Sequence, residues 1–145
     1  MLQKIDVIKE KLAKLVQFLK ELEKVKPSSF EDYNSTPAIK RSCERLLQLI
    51  VETAADINSS VIIALKDFPP KDYYDTFIKA GDVGLISSKL AKKLAPWAGL
   101  RNRLVHEYAQ IKDRLVFEKI EPSIESFTEY IRQVEKFIES HQSEK

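Results

Sequence analysis

Three side chains with complementary chemistry stand within eight residues of the chain. They belong to the segment Arg101-Asn102-Arg103-Leu104-Val105-His106-Glu107-Tyr108. A guanidinium keeps its positive charge, an imidazole exchanges a proton near neutral pH, and a phenol offers a hydroxyl that can be bonded or modified. The segment therefore predicts an active site in which His106 transfers a proton and Arg101 binds an anion.

The two predicted catalytic side chains do not share one face of a helix. At about 100° per residue, Arg101 and His106 lie about 140° apart, whereas Asn102 lies one turn before His106 on the same flank. We therefore expect Asn102 to orient the imidazole. A long arginine side chain, a kinked helix or a second protomer could close the gap, and a symmetric homodimer would let the arginine of one chain serve the histidine of the other.

Apolar residues at helical spacing predict the elements that carry this segment. A first helix should end near Lys26, because Pro27 disfavours helix before it. A second helix should begin at the cap formed by Ser35-Thr36-Pro37 and run to about Lys66. A short helix is predicted from Asp72 to Ala80.

The helix that carries the segment is predicted to begin after Ser87 and to kink, rather than break, at Pro96. A last helix is predicted to open at Pro122. Because the chain has only three glycines for tight turns, the fold class is all-α. The simplest packing is an antiparallel bundle of four long helices plus one short helix, in a single domain of residues 1–145 with a flexible tail at 140–145.

The second predicted helix is apolar on more than one face. Besides its main stripe it carries Val51, Ala55 and Ile62. Its later half therefore needs packing partners on several sides. One of these partners is expected to be a second subunit.

Charged residues occupy another side of that helix. Arg45, Glu52 and Asp56 fall on roughly one side. A carboxylate there would hold Arg101 or Arg103 in place. The alternative is a solvated ladder of helix salt bridges, each worth about 0.5 kcal/mol.

Positive charge is concentrated around the segment. The whole chain carries a net charge of +2, but residues 87–119 hold eight basic and three acidic side chains, a net charge of +5. The small total argues against a protein that coats nucleic acid, while the local excess suits a phosphate-bearing ligand. A solvated surface explains such lysine runs equally well.

The composition disfavours several classes of protein and site. The single Cys43 can form no intramolecular disulfide and is predicted to be a packed thiol, which fits the reducing cytoplasm. No segment approaches the roughly 18 unbroken apolar residues of a membrane span, and the amino terminus lacks a signal-peptide core, so a soluble cytoplasmic protein is predicted. With only two histidines, His106 and His141, no metal site is expected. The lack of a glycine-rich phosphate loop counts against an ATPase or kinase, and no cofactor is expected.

The segment resembles the motif of the HEPN superfamily. Arg101, His106 and Tyr108 follow its pattern of Arg, four residues, His, one residue and Tyr, and the order Arg-Asn-x-Leu-Val-His-x-Tyr is similar to the HepT toxin branch. The likeness extends to the second helix of that branch and to the turn before its motif helix, at Glu44-Arg45-Leu46-Leu47-Gln48, Glu52, Asp56 and Gly81 to Leu85. The resemblance covers residues 40–112.

The resemblance implies a metal-independent endoribonuclease toxin that acts on transfer or messenger RNA at a dimer-interface cleft. RNA supplies its own nucleophile, the 2′-hydroxyl, so cleavage needs a base, a cation for the phosphorane and an acid for the leaving oxygen. His106 would be the base or acid, and Arg101 the clamp on the phosphate oxygens. The predicted supporting and RNA-binding residues are Asn102, Arg103, Glu52 and Asp56. DNA, which lacks the 2′-hydroxyl, should be spared.

The resemblance also implies a role for Tyr108. In HepT systems the matching tyrosine receives AMP from a partner nucleotidyltransferase antitoxin of the MntA type. Added phosphate beside a phosphate-binding arginine would repel RNA. From periodicity alone, a buried tyrosine that completes the helix stripe is the alternative interpretation.

Two functions without catalysis also remain open. The chain could be a HEPN-like module that binds nucleotide or a partner protein, with Arg101 and His106 as phosphate ligands only, or a purely structural bundle. The complete set of Arg101, His106 and Tyr108 favours the enzyme. Nucleotide binding without turnover would indicate the module, and substitutions that alter stability alone would indicate the bundle.

Overall fold

The chain folds into an all-α structure, as predicted. The computed structural model describes residues 2–66, 69–106 and 112–142. Within these ranges there are seven helices and no strand: α1 (Leu2–Val25), α2 (Phe30–Ser35), α3 (Pro37–Lys66), α4 (Tyr73–Asp82), α5 (Ser88–Leu94), α6 (Trp97–His106) and α7 (Asp113–Gln142). Only α1, α3 and α7 are long, with 24, 30 and 30 residues.

Contacts between α1 and α7 show that these two helices run in opposite directions. Lys26, directly after α1, forms an ion pair with Glu121 in the first third of α7. At the other end of the bundle, Leu12 and Ile138 line one groove between the same helices. The predicted antiparallel packing is therefore present between α1 and α7.

The central helix α3 runs in the same direction as α7. Lys40 at the start of α3 pairs with Asp113 at the start of α7, at 2.9 Å. Farther along both helices, the buried Tyr130 hydroxyl lies 3.0 Å from the Ala54 carbonyl oxygen and 2.6 Å from Oδ1 of Asn58. Helices α1, α2, α4 and α6 also pack against α3, so this helix forms the axis of the core.

The predicted limits of the first helices are close to those observed. The first helix ends at Val25, before Pro27, and α3 begins at Pro37. The short α2 was missed, although Ser29 caps it by accepting a hydrogen bond from the Asp32 amide at 3.1 Å. A serine followed three residues later by an acidic residue is a sequence signal for such a start.

The predicted kink at Pro96 is wrong, because the helix breaks there into α5 and α6. Pro96 has no amide hydrogen and cannot continue the helical ladder. Backbone hydrogen bonds that span three residues instead of four cross the break. They run from the Ala98 amide to the Ala95 carbonyl at 3.1 Å and from the Gly99 amide to the Pro96 carbonyl at 3.0 Å. The bundle therefore has three long helices among the described residues, and not four.

The predicted start of the last helix at Pro122 is also wrong. The helix α7 begins at Asp113 and contains Pro122 in its interior. Val116 and Ile120 are buried and extend its apolar stripe towards the amino terminus, so packing outweighs the one backbone bond that proline removes. The helix continues to Gln142, into the predicted tail, and residues 143–145 lie outside the described part.

The extra apolar face of α3 is covered within the chain. Val51, Ala55 and Ile62 are at most 1% exposed, because α4 and α6 pack against α3 in addition to α1 and α7. The prediction that this face needs a second subunit is therefore wrong. Length and composition alone would let α3 cross a membrane, but half of its apolar window is buried inside the bundle, as in the core helix of a soluble protein.

The cysteine and the tryptophan both belong to the core. Cys43 is fully buried, and burial raises the pKa of its thiol to about 11, so the reactive thiolate is disfavoured at neutral pH. The prediction of a packed thiol is confirmed. Trp97 is 8% exposed and packs edge-on against Phe127, with ring centroids 5.9 Å apart.

Candidate active site

The Arg101 side chain is anchored to the central helix. Its Nε and Nη2 atoms donate to Oε2 of Glu52 at 2.8 and 2.7 Å. Gln48, one turn earlier on α3, donates to the same oxygen at 3.0 Å. The side chains of Arg101 and Glu52 are only 16% and 23% exposed. Glu52 is expected from the sequence either to hold an arginine of the segment or to belong to a solvated ladder of salt bridges along the helix. The structure shows the first of these, a contact with Arg101.

An aromatic ring completes the support of Arg101. The guanidinium carbon lies 4.5 Å from the centroid of the Tyr73 ring, at the start of α4. Such a cation is attracted to the ring face by the ring quadrupole. The sequence does not single out Tyr73, because nothing in the motif points to a residue from another helix. The only local signal is its place directly after Asp72, which caps α4.

The predicted contact between Asn102 and His106 is not formed. Oδ1 of Asn102 instead accepts a hydrogen bond from Nη1 of Arg101 at 3.2 Å. Among the described side chains, no hydrogen bond joins Asn102 to the imidazole. The reason is that the guanidinium of Arg101 is a charged donor close by, and such a charge-assisted hydrogen bond is a strong one for an amide oxygen.

His106 is exposed at the carboxyl end of α6, the last described residue before a gap. Arg101 is turned towards α3, so the two predicted catalytic side chains point in different directions, as their helical spacing indicates. Tyr108 lies in residues 107–111, outside the described part of the chain. Its predicted modification is therefore not addressed by the geometry.

Two other predicted supporting residues stand apart from Arg101. Asp56 is exposed one turn after Glu52, and within the described ranges it pairs with neither Arg101 nor Arg103. The predicted contact of Asp56 with an arginine of the segment is therefore not formed, and its side chain is exposed to solvent. Arg103 is partly exposed, and no ion pair holds it among the described residues.

The basic stretch is spread over three helices at the surface. Its exposed members are Lys89, Lys92 and Lys93 on α5, Lys112 directly before α7, and Arg114 and Lys119 in the first turns of α7. Arg114 stacks on the Phe30 ring at 4.1 Å. In the described part of the chain, no group of three His, Cys, Asp or Glu side chains is arranged to hold a metal ion. The site thus offers a fixed guanidinium, an exposed imidazole and a positive surround, which suit a phosphate ester.

Comparison with known proteins identifies similar sequences over most of the chain. The family model described as "Ribonuclease HepT-like" matches residues 8–134. The tRNA nuclease HepT of Aphanizomenon flos-aquae is 36% identical over 132 residues, which are 91% of this chain and 90% of that protein. The mRNA nuclease HepT of Shewanella oneidensis is 24% identical over 129 residues, which are 87% of this chain and 94% of that protein.

Solved structures share the same fold. A tri-AMPylated HEPN toxin of Shewanella oneidensis, in complex with its MNT antitoxin, superposes with a TM-score of 0.81 and 23% identity, over 90% of this chain and 98% of that one. A toxin–antitoxin structure with AMP-PNP gives a TM-score of 0.81 at 22% identity, with the same coverage. At this identity the likeness concerns the fold.

Proposed function

Because the chain belongs to the HepT-like ribonuclease family, it is an endoribonuclease, and we propose that His106 and Arg101 carry its reaction without a metal ion. As the toxin of a toxin–antitoxin pair it would act on transfer or messenger RNA in the cytoplasm. The proposal rests chiefly on one observation. Glu52, Asn102 and Tyr73 hold the guanidinium of Arg101. The exposed His106 lies on another flank of the same helix, at its carboxyl end.

The anchoring of Arg101 leaves hydrogen-bond donors for a phosphate. A guanidinium has five N–H groups. Two donate to Glu52 and one to Asn102, so two remain for the oxygens of a phosphorane. A donor that is already oriented needs no reorganisation when charge develops in the transition state. Glu52, Asn102 and Tyr73 are positioning residues in this scheme, and the imidazole of His106 moves the protons of the 2′-hydroxyl and the leaving oxygen.

Cleavage in a chelator tests the reaction directly. The purified protein is incubated with total RNA and EDTA, and the ends of the fragments are analysed. Fragments that end in 2′,3′-cyclic phosphate are expected, because the 2′-hydroxyl is the nucleophile. A matched DNA oligonucleotide should remain intact. Cleavage that requires added Mg²⁺, or that cuts DNA equally, would contradict the proposal.

We further propose a homodimer in which α3 of one copy lies antiparallel to α3 of the other. A stripe of α3 that is not fully covered within the chain carries Arg45, Leu49, Glu52 and Asp56 within an arc of about 60°. Arg45 and Asp56 are exposed and have no ion-pair partner among the described residues. In an antiparallel arrangement centred between Leu49 and Glu52, Arg45 meets Asp56 of the partner subunit.

This arrangement supports a shared catalytic cleft. A two-fold axis that crosses two antiparallel helices keeps each flank of α3 on its own side of the dimer. Helix α6 packs on the flank that carries Glu52. Both copies of α6 therefore lie on one side, close to the axis. Arg101 of one chain can then approach His106 of the partner subunit, which the single chain does not allow.

Charge reversal on α3 tests the dimer. Asp56→Arg alone, or Arg45→Asp alone, places like charges together twice across the two-fold axis and should raise the dimer dissociation constant about tenfold to a hundredfold. The double variant Arg45→Asp/Asp56→Arg restores both pairs and should dimerise again. Sedimentation equilibrium measures each mass. A wild-type monomer at micromolar concentration, or a double variant no better than the single ones, would overturn this interface.

Tyr108 is the proposed site of regulation by AMP. A nucleotidyltransferase antitoxin is the proposed partner, by likeness to the AMPylated toxin in complex with MNT antitoxin. After co-expression with such a partner and ATP, the intact mass should rise by one or more AMP units, and RNA cleavage should stop because the added phosphates repel RNA. Tyr108→Phe should gain no mass and should keep its activity under the same conditions. A mass increase that persists in Tyr108→Phe would place the modification elsewhere.

A further inference from the structure

A depression of about 470 Å³ adjoins Arg101 between α3, α4 and α6. Its volume is in the range of small-molecule sites, about 300–1,000 Å³. The residues that matter for its chemistry are Ser59, Asp72, Tyr73, Tyr74, Gly99 and Asn102. It shares Asn102 and Tyr73 with the anchoring of Arg101, but the proposed reaction does not use the space itself.

The lining of the depression favours a neutral, planar ligand over a phosphate. The described residues that line it include the carboxylate of Asp72 but no lysine or arginine. A bound anion would therefore face the Asp72 carboxylate, and no cationic side chain in the lining would offset that charge. Aromatic surface is available instead, because Tyr74 is 53% exposed, whereas the Tyr73 ring already carries Arg101. Bases stack on exposed aromatic rings irrespective of sequence.

Polar groups in the depression can hydrogen-bond the edge of a base. Asn102 is exposed, and its Oδ1 atom is engaged with Arg101, so its amide nitrogen is left as a donor. The Ser59 hydroxyl, from α3, is a second donor or acceptor in the lining. An aromatic surface with two such groups is the composition of a base-binding site.

The depression lies on the same flank of α6 as His106. Gly99, Asn102 and His106 follow one another on one flank of α6, at helical spacing. About 10 Å along the helix axis separate Gly99 from His106, and Arg101 lies between them in height but on another flank of the helix. A base in the depression thus directs its sugar and phosphate along the flank that ends at His106.

We propose that this depression binds the base of the nucleotide next to the scissile phosphate and sets the base preference of cleavage. The ligand class, a nucleobase of single-stranded RNA, rests on the proposed ribonuclease function. Tyr74 stacks on the base, Asn102 and Ser59 bond its edge, and Gly99 leaves the space open. A side chain at Gly99 would enter this space, because a Cβ atom there meets nothing within 4 Å.

The test compares substrates with and without the base. Short DNA oligonucleotides with a single cleavable ribonucleotide are prepared with each of the four bases, or with no base, at one nucleotide next to the scissile phosphate. The wild type should cleave its preferred substrate with a kcat/KM about tenfold above that of the abasic substrate, the effect of one stacked base. Gly99→Leu and Tyr74→Ala should lose this tenfold advantage and cleave the abasic substrate as the wild type does.

Two choices of variant distinguish a loss of base binding from a loss of folding or of catalysis. Gly99→Leu replaces a glycine inside a helix and should not destabilise it, and Val7→Ala, which trims an exposed side chain on α1, is the matched control for Tyr74→Ala. A variant that loses rate equally on the base-containing and abasic substrates would contradict base binding. So would a wild type that cleaves all five substrates equally.

A binding measurement separates the proposed base site from the proposed ribonuclease reaction. It uses the all-deoxy forms of these oligonucleotides, which cannot be cleaved. Tighter binding of the base-containing form by the wild type, lost in Gly99→Leu, supports the base site even if no RNA is cut. Equal binding of both forms overturns the base site even if RNA is cut. Failure of the base site and failure of the nuclease are thus distinguished.

Discussion

Replacement of His106 by alanine is expected to abolish RNA cleavage while leaving the fold intact. Proton transfer by a positioned imidazole contributes about 10²- to 10⁴-fold to a rate, so kcat should fall by at least that much. His106 is exposed at the end of α6. Its removal should change the free energy of unfolding by no more than about 0.5 kcal/mol.

The measurement pairs His106→Ala with a matched histidine control. His141 is the only other histidine in the chain, and it stacks on Phe137 at 3.9 Å near the end of α7. His141→Ala should cut RNA at the wild-type rate. Single-turnover cleavage in EDTA gives the rates, and thermal unfolding reports the fold. If His106→Ala cleaves as fast as His141→Ala, His106 has no part in the reaction, and a binding module becomes the better description.

Replacement of Arg101 by alanine is the second large expected effect. Loss of one preorganised donor group for a developing anion costs about 10²- to 10³-fold in kcat. The same change leaves the partly buried Glu52 carboxylate without its main partner. Stability should therefore also fall, by about 1–3 kcal/mol.

A double variant separates the loss of catalysis from the loss of stability. Arg101→Ala/Glu52→Ala removes the stranded carboxylate together with the guanidinium, so the free energy of unfolding should recover in part. Activity should not recover, because the phosphate clamp is still absent. Arg101→Lys keeps the charge but lacks the planar set of donors that reaches Glu52, Asn102 and a phosphate together. It should remain well below the wild type.

Denaturant unfolding and single-turnover kinetics on the same four proteins decide the outcome. If the double variant regains both stability and cleavage, Arg101 acts through the fold alone. Full activity of Arg101→Lys would mean that a point charge suffices and that the oriented donors are irrelevant.

Several features of the fold follow from local sequence. Apolar residues three and four positions apart in α1 and α3 predict amphipathic helices wherever they occur, and prolines limit them. The ends at Val25 and Lys66 could therefore be predicted closely. The two wrong predictions of helix limits concern prolines within apolar helical patterns. Pro96 breaks its helix, whereas Pro122 lies inside a continuous one. Whether a helix continues through a proline depends on whether the packing of residues beyond it compensates for one lost backbone hydrogen bond. The local sequence does not contain that information.

The sequence by itself determined which side chains are candidates for the chemistry of this protein: an arginine, a histidine and a tyrosine within eight residues, with Arg101 and His106 on different flanks of one helix. The spacing of residues on a helix is a local property, so these relations hold whatever the helix packs against. Only the tertiary structure decided that Glu52, 49 residues away, and Tyr73 hold the guanidinium. It also decided that α4 and α6 cover the second apolar face of α3. Such contacts depend on the angles and registers at which whole helices pack, and these arise from the sum of all interfaces in the core.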